Sequence, residues 1–117
     1  KKESVMEEDE ITFIQKVSEI IYSEIRNTDL SPQIIADKMF MSTSHLNRKI
    51  KTITELSTTG YILNIRLVKS KKLLISTQKP IGDIALECGF SDFAYFSRTF
   101  KKEFGITPTQ YQRMAVE

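Results

Sequence analysis

One stretch of this 117-residue chain recurs about fifty residues downstream, and no other feature limits its possible folds as sharply. The first copy runs Leu30, Ser31, Pro32, Ile34, Ala36, Met41, Ser42, Leu46, Arg48, Ile50, Lys51, then Ser57, Thr58 and Tyr61. The second runs Lys79, Pro80, Ala85, Phe90, Ser91, Phe96, Arg98, Phe100, Lys101, then Thr107, Pro108 and Tyr111. The offset is 49 as far as Ser42/Ser91 and 50 from Leu46/Phe96 onward, which places one inserted residue at the start of a helix. A period of this length normally marks a supersecondary unit that occurs more than once. The unit here reads as helix-turn-helix.

The spacing of apolar residues predicts seven helices and no strand, an all-α chain. Phe13, Ile14, Val17, Ile21 and Ile25 recur at helical spacing, which predicts an amphipathic helix from Ile11 to about Arg26 or Asn27. Residues 1–10 are polar, acidic and aperiodic, and read as a linker from a part that lies upstream. Ser31 and Pro32 suit the N-cap and first position of a short second helix. Ser42 is placed to cap a third, with Leu46, Ile50 and Ile53 inward, which completes a first lobe over residues 11–56. Residues 57–77 read as a long connecting helix, apolar on more than one side through Tyr61, Ile65, Leu67, Val68, Leu73 and Leu74. The second lobe, 78–117, repeats the grammar: Pro80 opens a helix, Gly89 makes the turn, Ser91 caps the next helix, Gly105 ends it and Pro108 begins the last.

Helix-turn-helix packing needs a small residue where the two helices cross, and Ala36 and Ala85 occupy that place in register. With Leu46 and Ile50 inward, a rotation of about 100° per residue turns Ser44, Arg48 and Lys51 outward, with Asn47 beside them. The same construction on Phe96 and Phe100 exposes Ala94, Arg98 and Lys101, flanked by Phe93 and Ser97. Each outward face thus carries an Arg and a Lys at i, i+3. Arg can bond guanine with two hydrogen bonds, Asn suits adenine, Lys reaches phosphate, and Ala or Phe packs on a thymine methyl.

Charge is distributed to match. The chain has a net charge of only +2, but residues 1–30 hold four Lys/Arg against eight Asp/Glu, −4, and residues 31–117 hold thirteen against seven, +6. The basic part is the part that repeats, as a polyanion-binding body would require. A connecting helix over 57–77 would be about 30 Å long, near the roughly 34 Å turn of duplex DNA that separates successive major-groove sites on one face.

Beyond the bare repeat, several strings are specific: Ile84-Ala85, Gly89-Phe90-Ser91-Asp92, Tyr95-Phe96-Ser97-Arg98, Phe100-Lys101-Lys102, and Phe104-Gly105-Ile106-Thr107-Pro108 through Tyr111. Together they resemble the signature of AraC/XylS-type transcription regulators, over roughly residues 11–115. The resemblance implies two helix-turn-helix lobes joined by a long helix, with both recognition helices entering the major groove of double-stranded DNA. It places base reading at Ser44, Asn47 and Arg48 in the first lobe and at Phe93, Ala94, Ser97 and Arg98 in the second. It also implies action as a transcription regulator, activator or repressor, with RNA polymerase as a partner and no cofactor; without a membrane span or signal peptide the expected compartment is the cytoplasm. The acidic lead-in and first helix further resemble the output end of two-component sensor-regulators, which implies sensor or receiver domains upstream.

Three residues depart from the family pattern, in the first lobe and at the start of the connecting helix that follows it. Phe40 stands where Gly89 stands in the second, Glu55 replaces the glycine before the long helix, and Thr58 replaces its proline. A bulky residue is strained at positive φ, so the turn at Phe40 is expected either to change shape or to carry Phe40 inward.

Other chemistries find little support. The chain has one Cys and one His and no nucleophile–base set, glycine-rich phosphate loop or metal-ligand cluster, so it does not read as an enzyme or a metal site. Cys88 reads as a buried thiol, and His45 as partly packed at the edge of the inner face. No run of about 18 apolar residues offers a membrane span, and the N-terminal residues do not read as a signal peptide. Lys69, Lys71 and Lys72 suit a solvated helix face. The competing class is a helical adaptor that binds a protein partner, since the same fold also serves that purpose.

Overall fold

The computed structural model describes residues 7–115. Among these residues the chain forms seven α-helices and no strand: α1 Glu8–Ser23, α2 Pro32–Lys38, α3 Thr43–Thr54, α4 Thr58–Ser76, α5 Ile81–Glu87, α6 Phe93–Phe104 and α7 Pro108–Ala115. α1 starts earlier than its apolar periodicity suggests, because Glu7 and Glu10 form a reciprocal capping box and the acidic Glu8, Asp9 and Glu10 suit the positive end of a helix. Part of the expected linker is therefore helical, while residues 1–6 lie outside the described residues. The helix also stops sooner, at Ser23, and the buried Ile25 belongs to the connection that follows.

The described residues divide into two compact units, one of residues 7–24 and 29–65, the other of 25–28 and 66–115. In the first, α1, α2 and α3 pack on one another around Val17, Ile21, Ile35, Leu46 and Ile50, all fully buried. Ser18 Oγ and Tyr61 Oη, 2.8 Å apart, hydrogen-bond within it. The second unit packs α5 and α7 on α6 and is aromatic instead: Phe96 and Phe100 are fully buried, with ring centroids 4.8 Å apart for Phe90–Phe96 and 4.7 Å for Phe100–Phe104. Such ring pairs add roughly 0.5–1.5 kcal/mol each beyond area burial. α4 serves both units along its length. Its first half buries Thr58, Ile62 and Ile65, and its second buries Leu67, Ser70 and Leu74.

The two turns share one shape. In the first unit the Phe40 N–H donates to Asp37 O and the Met41 N–H to Ala36 O; in the second the Gly89 N–H donates to Leu86 O and the Phe90 N–H to Ala85 O. Phe40 adopts φ 58° and Gly89 φ 92°. The expected change of turn does not occur, nor does Phe40 pack inward: it is 95% exposed. The reason lies in what covers each turn. A Cβ on Gly89 would run into the Ile25 carbonyl and the Arg66 guanidinium, whereas the side chain of Phe40 has open space. Only the second turn therefore requires glycine on steric grounds.

The inserted residue also sits elsewhere than expected. α2 and α5 are in step at an offset of 49 and α3 and α6 at 50, so the extra residue is Ser91, within the turn. Asp92, not Ser91, caps α6, its carboxylate accepting from the Tyr95 N–H at 3.1 Å, as the Ser42 hydroxyl accepts from the His45 N–H in the first unit.

Candidate nucleic-acid interface

α3 and α6 are amphipathic helices of 12 residues each. Each ends on a residue in the left-handed region, Glu55 at φ 66° and Gly105 at φ 89°, whose N–H bonds back to Lys51 O or Lys101 O. The shared capping fixes where each helix begins and stops, and the buried Leu46/Ile50 and Phe96/Phe100 pairs fix its rotation. What remains outward is the set of side chains expected from the wheel.

On α3, Ser44, Asn47, Arg48 and Lys51 are all exposed. Three of these four are held by neighbours. Thr58 Oγ1 donates to Asn47 Oδ1 at 2.7 Å, Arg48 Nη2 donates to His45 Nδ1 at 3.2 Å, and Lys51 Nζ donates to Glu55 O at 3.2 Å. His45 is exposed, contrary to the expectation of partial packing, because its ring turns along the helix to Arg48 instead of under it. Beside this face Pro32, Asn47, Lys51, Ser57, Thr58 and Thr59 line a shallow cleft of about 320 Å³.

On α6, Phe93, Ala94, Arg98 and Lys101 are exposed and Ser97 is half-buried. Phe93 leans toward the core ring of Phe96, centroids 6.3 Å apart, yet keeps half its surface in solvent. Arg98 and Lys101 have no hydrogen-bond or ion-pair partner among the described residues. Neither Arg48 nor Arg98 is held in a surface ion pair among the described residues. Lys71, by contrast, lies over the Phe104 ring at 4.6 Å and the Tyr111 ring at 5.6 Å, where it packs the second unit.

One supporting group, Arg66, left little trace in the sequence. Arg66 donates from Nη2 to Asn27 O at 2.7 Å beneath the Gly89 turn, while its buried Nε has no partner among the described residues. Desolvation lowers the pKa of its guanidinium from the usual value. Burial likewise pushes the Cys88 thiol up to about 11, so it is inert as a nucleophile at neutral pH. The Arg66 contact joins segments far apart in sequence, and no periodicity reports it. The His45–Arg48 pair was legible in principle from its i, i+3 spacing.

The profile of a helix-turn-helix domain family matches residues 35–114, most of the chain and both recognition helices. The chain belongs to the AraC/XylS-type family of DNA-binding domains. It is 33% identical to the C-terminal domain of AraT, a response regulator from Geobacillus stearothermophilus, over 86% of this chain and 84% of that one, with a TM-score of 0.79. An AraC-type regulator from Chromobacterium violaceum superposes with a TM-score of 0.85 at 28% identity, covering 95% of this chain and 98% of that one. Among curated relatives, the transcriptional activator RhaS of Escherichia fergusonii is 33% identical over 114 residues, 97% of this chain but 41% of RhaS. The chain thus spans about two fifths of the length of such relatives. No described helix is long and apolar enough to cross a membrane, and the described residues contain no group of three or more His, Cys, Asp or Glu placed to hold a metal ion.

Proposed function

We propose that this family member reads double-stranded DNA through two faces, Ser44, Asn47, Arg48 and Lys51 on α3 and Phe93, Ala94, Ser97, Arg98 and Lys101 on α6. The observation that carries the reading is the duplicated register: each helix buries two apolar residues fully and turns an Arg and a Lys, three positions apart, to solvent. Ion pairing would have neutralised such a face, and neither Arg is ion-paired among the described residues. Arg and Asn supply base contacts, and the two Lys contact phosphate. α4, an unbroken helix of 19 residues or about 28 Å, suits two short recognition elements about one duplex turn, roughly 10 bp, apart.

In the whole protein the domain serves as the output of a transcription activator in the cytoplasm, with RNA polymerase as partner and a sensor or receiver part upstream. The names of RhaS, an activator, and AraT, a response regulator, support that assignment. Regulation of this kind requires no catalysis by this domain. The test is selection of bound duplexes from a random pool, followed by titration across salt concentrations. Two short elements and a log-linear loss of affinity with salt are expected; a single uninterrupted element refutes the two-reader model. Affinity indifferent to salt favours the adaptor reading.

A further inference from the structure

The two recognition helices open on different chemistry. Phe93, the first residue of α6, is 50% exposed, and Ala94 beside it is exposed as well. The residues in the same places on α3, fifty positions earlier, carry hydroxyls: Thr43, whose Oγ1 donates to Gln33 Oε1 at 2.7 Å, and the exposed Ser44. Apolar residues scattered singly over a surface need no explanation, but these two are adjacent and lie on the face that carries Arg98, one helical turn on from Ala94. Phe93 is also braced, its ring 6.3 Å from that of the fully buried Phe96.

A major groove offers such a face one kind of partner. Every base pair presents hydrogen-bond donors and acceptors there, and the only apolar substituent among them is the C5 methyl of thymine. An apolar side chain pressed on the polar edges would strip them of water and return no hydrogen bond. Pressed on a methyl, it removes two apolar surfaces from water at once. We propose that the second lobe selects a methylated pyrimidine: Phe93 and Ala94 cover its C5 methyl, while Arg98 reads a base in the same element. What an apolar face recognises is the methyl and not the group at C4, so the ligand class extends from thymine to 5-methylcytosine. A duplex with cytosine at that position therefore binds more tightly once the cytosine is methylated.

This inference rests on the DNA-reading role proposed above, and the experiment separates the two. Sites are selected with the parent chain, and Arg98→Ala locates the second element as the one in which it relaxes a base preference. Each pyrimidine of that element is then exchanged in pairs that differ by one methyl, thymine against uracil and 5-methylcytosine against cytosine. At one position the parent should bind the methylated member of each pair about fourfold more tightly, the worth of one buried methyl group. A chain carrying both Phe93→Ser and Ala94→Ser should bind the two members of each pair equally, whereas Phe93→Leu, which stays apolar, should keep the parent's ratio. Comparing ratios cancels both the fraction of protein folded and the methyl's own effect on the duplex, so a merely structural role for Phe93 would not move them. No methyl effect anywhere in the second element, or one that survives undiminished in the doubly substituted chain, overturns the inference alone. If no duplex is selected, or Arg98→Ala relaxes no position, the DNA-reading role of α6 falls and the inference falls with it.

Discussion

Replacing Phe40 by glycine is expected to stabilise the first unit, although it deletes a large apolar side chain. That side chain is 95% exposed, so its removal forfeits almost no burial. What it relieves is backbone strain: at φ 58° an L-residue costs roughly 1–2 kcal/mol relative to the right-handed region. Glycine adopts this conformation freely but loses more entropy on folding, about 0.5–1 kcal/mol, which leaves a net gain of about 0.5–1 kcal/mol. The mirror experiment at Gly89 has the opposite sign. Alanine there meets φ 92° and also drives its Cβ into the Ile25 carbonyl and Arg66, and overpacking of this kind typically costs about 1–3 kcal/mol. Urea denaturation followed by circular dichroism measures both, with m-values unchanged if only stability is altered. A Phe40→Gly chain less stable than the parent would refute the strain argument. A Gly89→Ala chain as stable as the parent would mean that the Ile25–Thr28 segment does not cross the second turn.

Ala36→Leu and Ala85→Leu should each lose about 1–3 kcal/mol or more, and by similar amounts, because both alanines are buried beneath turns of the same shape; thermal melts of the two variants compare them directly. Arg98→Ala should cost about 1–3 kcal/mol at one base position, whereas Lys101→Ala should weaken all duplexes alike and reduce the salt slope by about one ion; competition against random DNA distinguishes them. Stability should fall as pH rises from about 9 toward the Cys88 value of about 11, since the unfolded thiol loses its proton first and the raised folded pKa confers stability only while the thiol stays protonated. Urea midpoints across that range should fall less for Cys88→Ala than for the parent.

The repeat made the architecture legible because helical rotation is local. Leu46 with Ile50 and Phe96 with Phe100 set the inner side, and Arg48, Lys51, Arg98 and Lys101 had to emerge opposite. Helix ends were read less well. Three acidic residues that look like linker begin α1, and Ile25, in phase with the helix before it, is buried instead in the connection that passes the Gly89 turn. Phe40 shows why a missing glycine does not by itself reshape a turn: the requirement depends on what covers the Cα, and that comes from residues remote in sequence. The ties on Asn47 and Arg48 were hidden for different reasons. Thr58 lies on another helix, whereas His45 is one turn away on the same helix, where the wheel puts it at the edge of the inner face and the structure exposes it.

Those ties make the two lobes unequal readers. In the first, Asn47, Arg48 and Lys51 already have partners, so the rotamer freedom they would lose on meeting DNA, about 0.5–1.5 kcal/mol per side chain, is partly surrendered in folding. In the second, Arg98 and Lys101 are untethered among the described residues and must be ordered by the duplex. Preorganised donors discriminate sharply because they adapt poorly to a wrong base, while free ones adjust and discriminate less. On the reading proposed above, the less family-like lobe is thus the stricter one: Phe40 and Glu55 leave its fold intact, and Thr58 tethers Asn47.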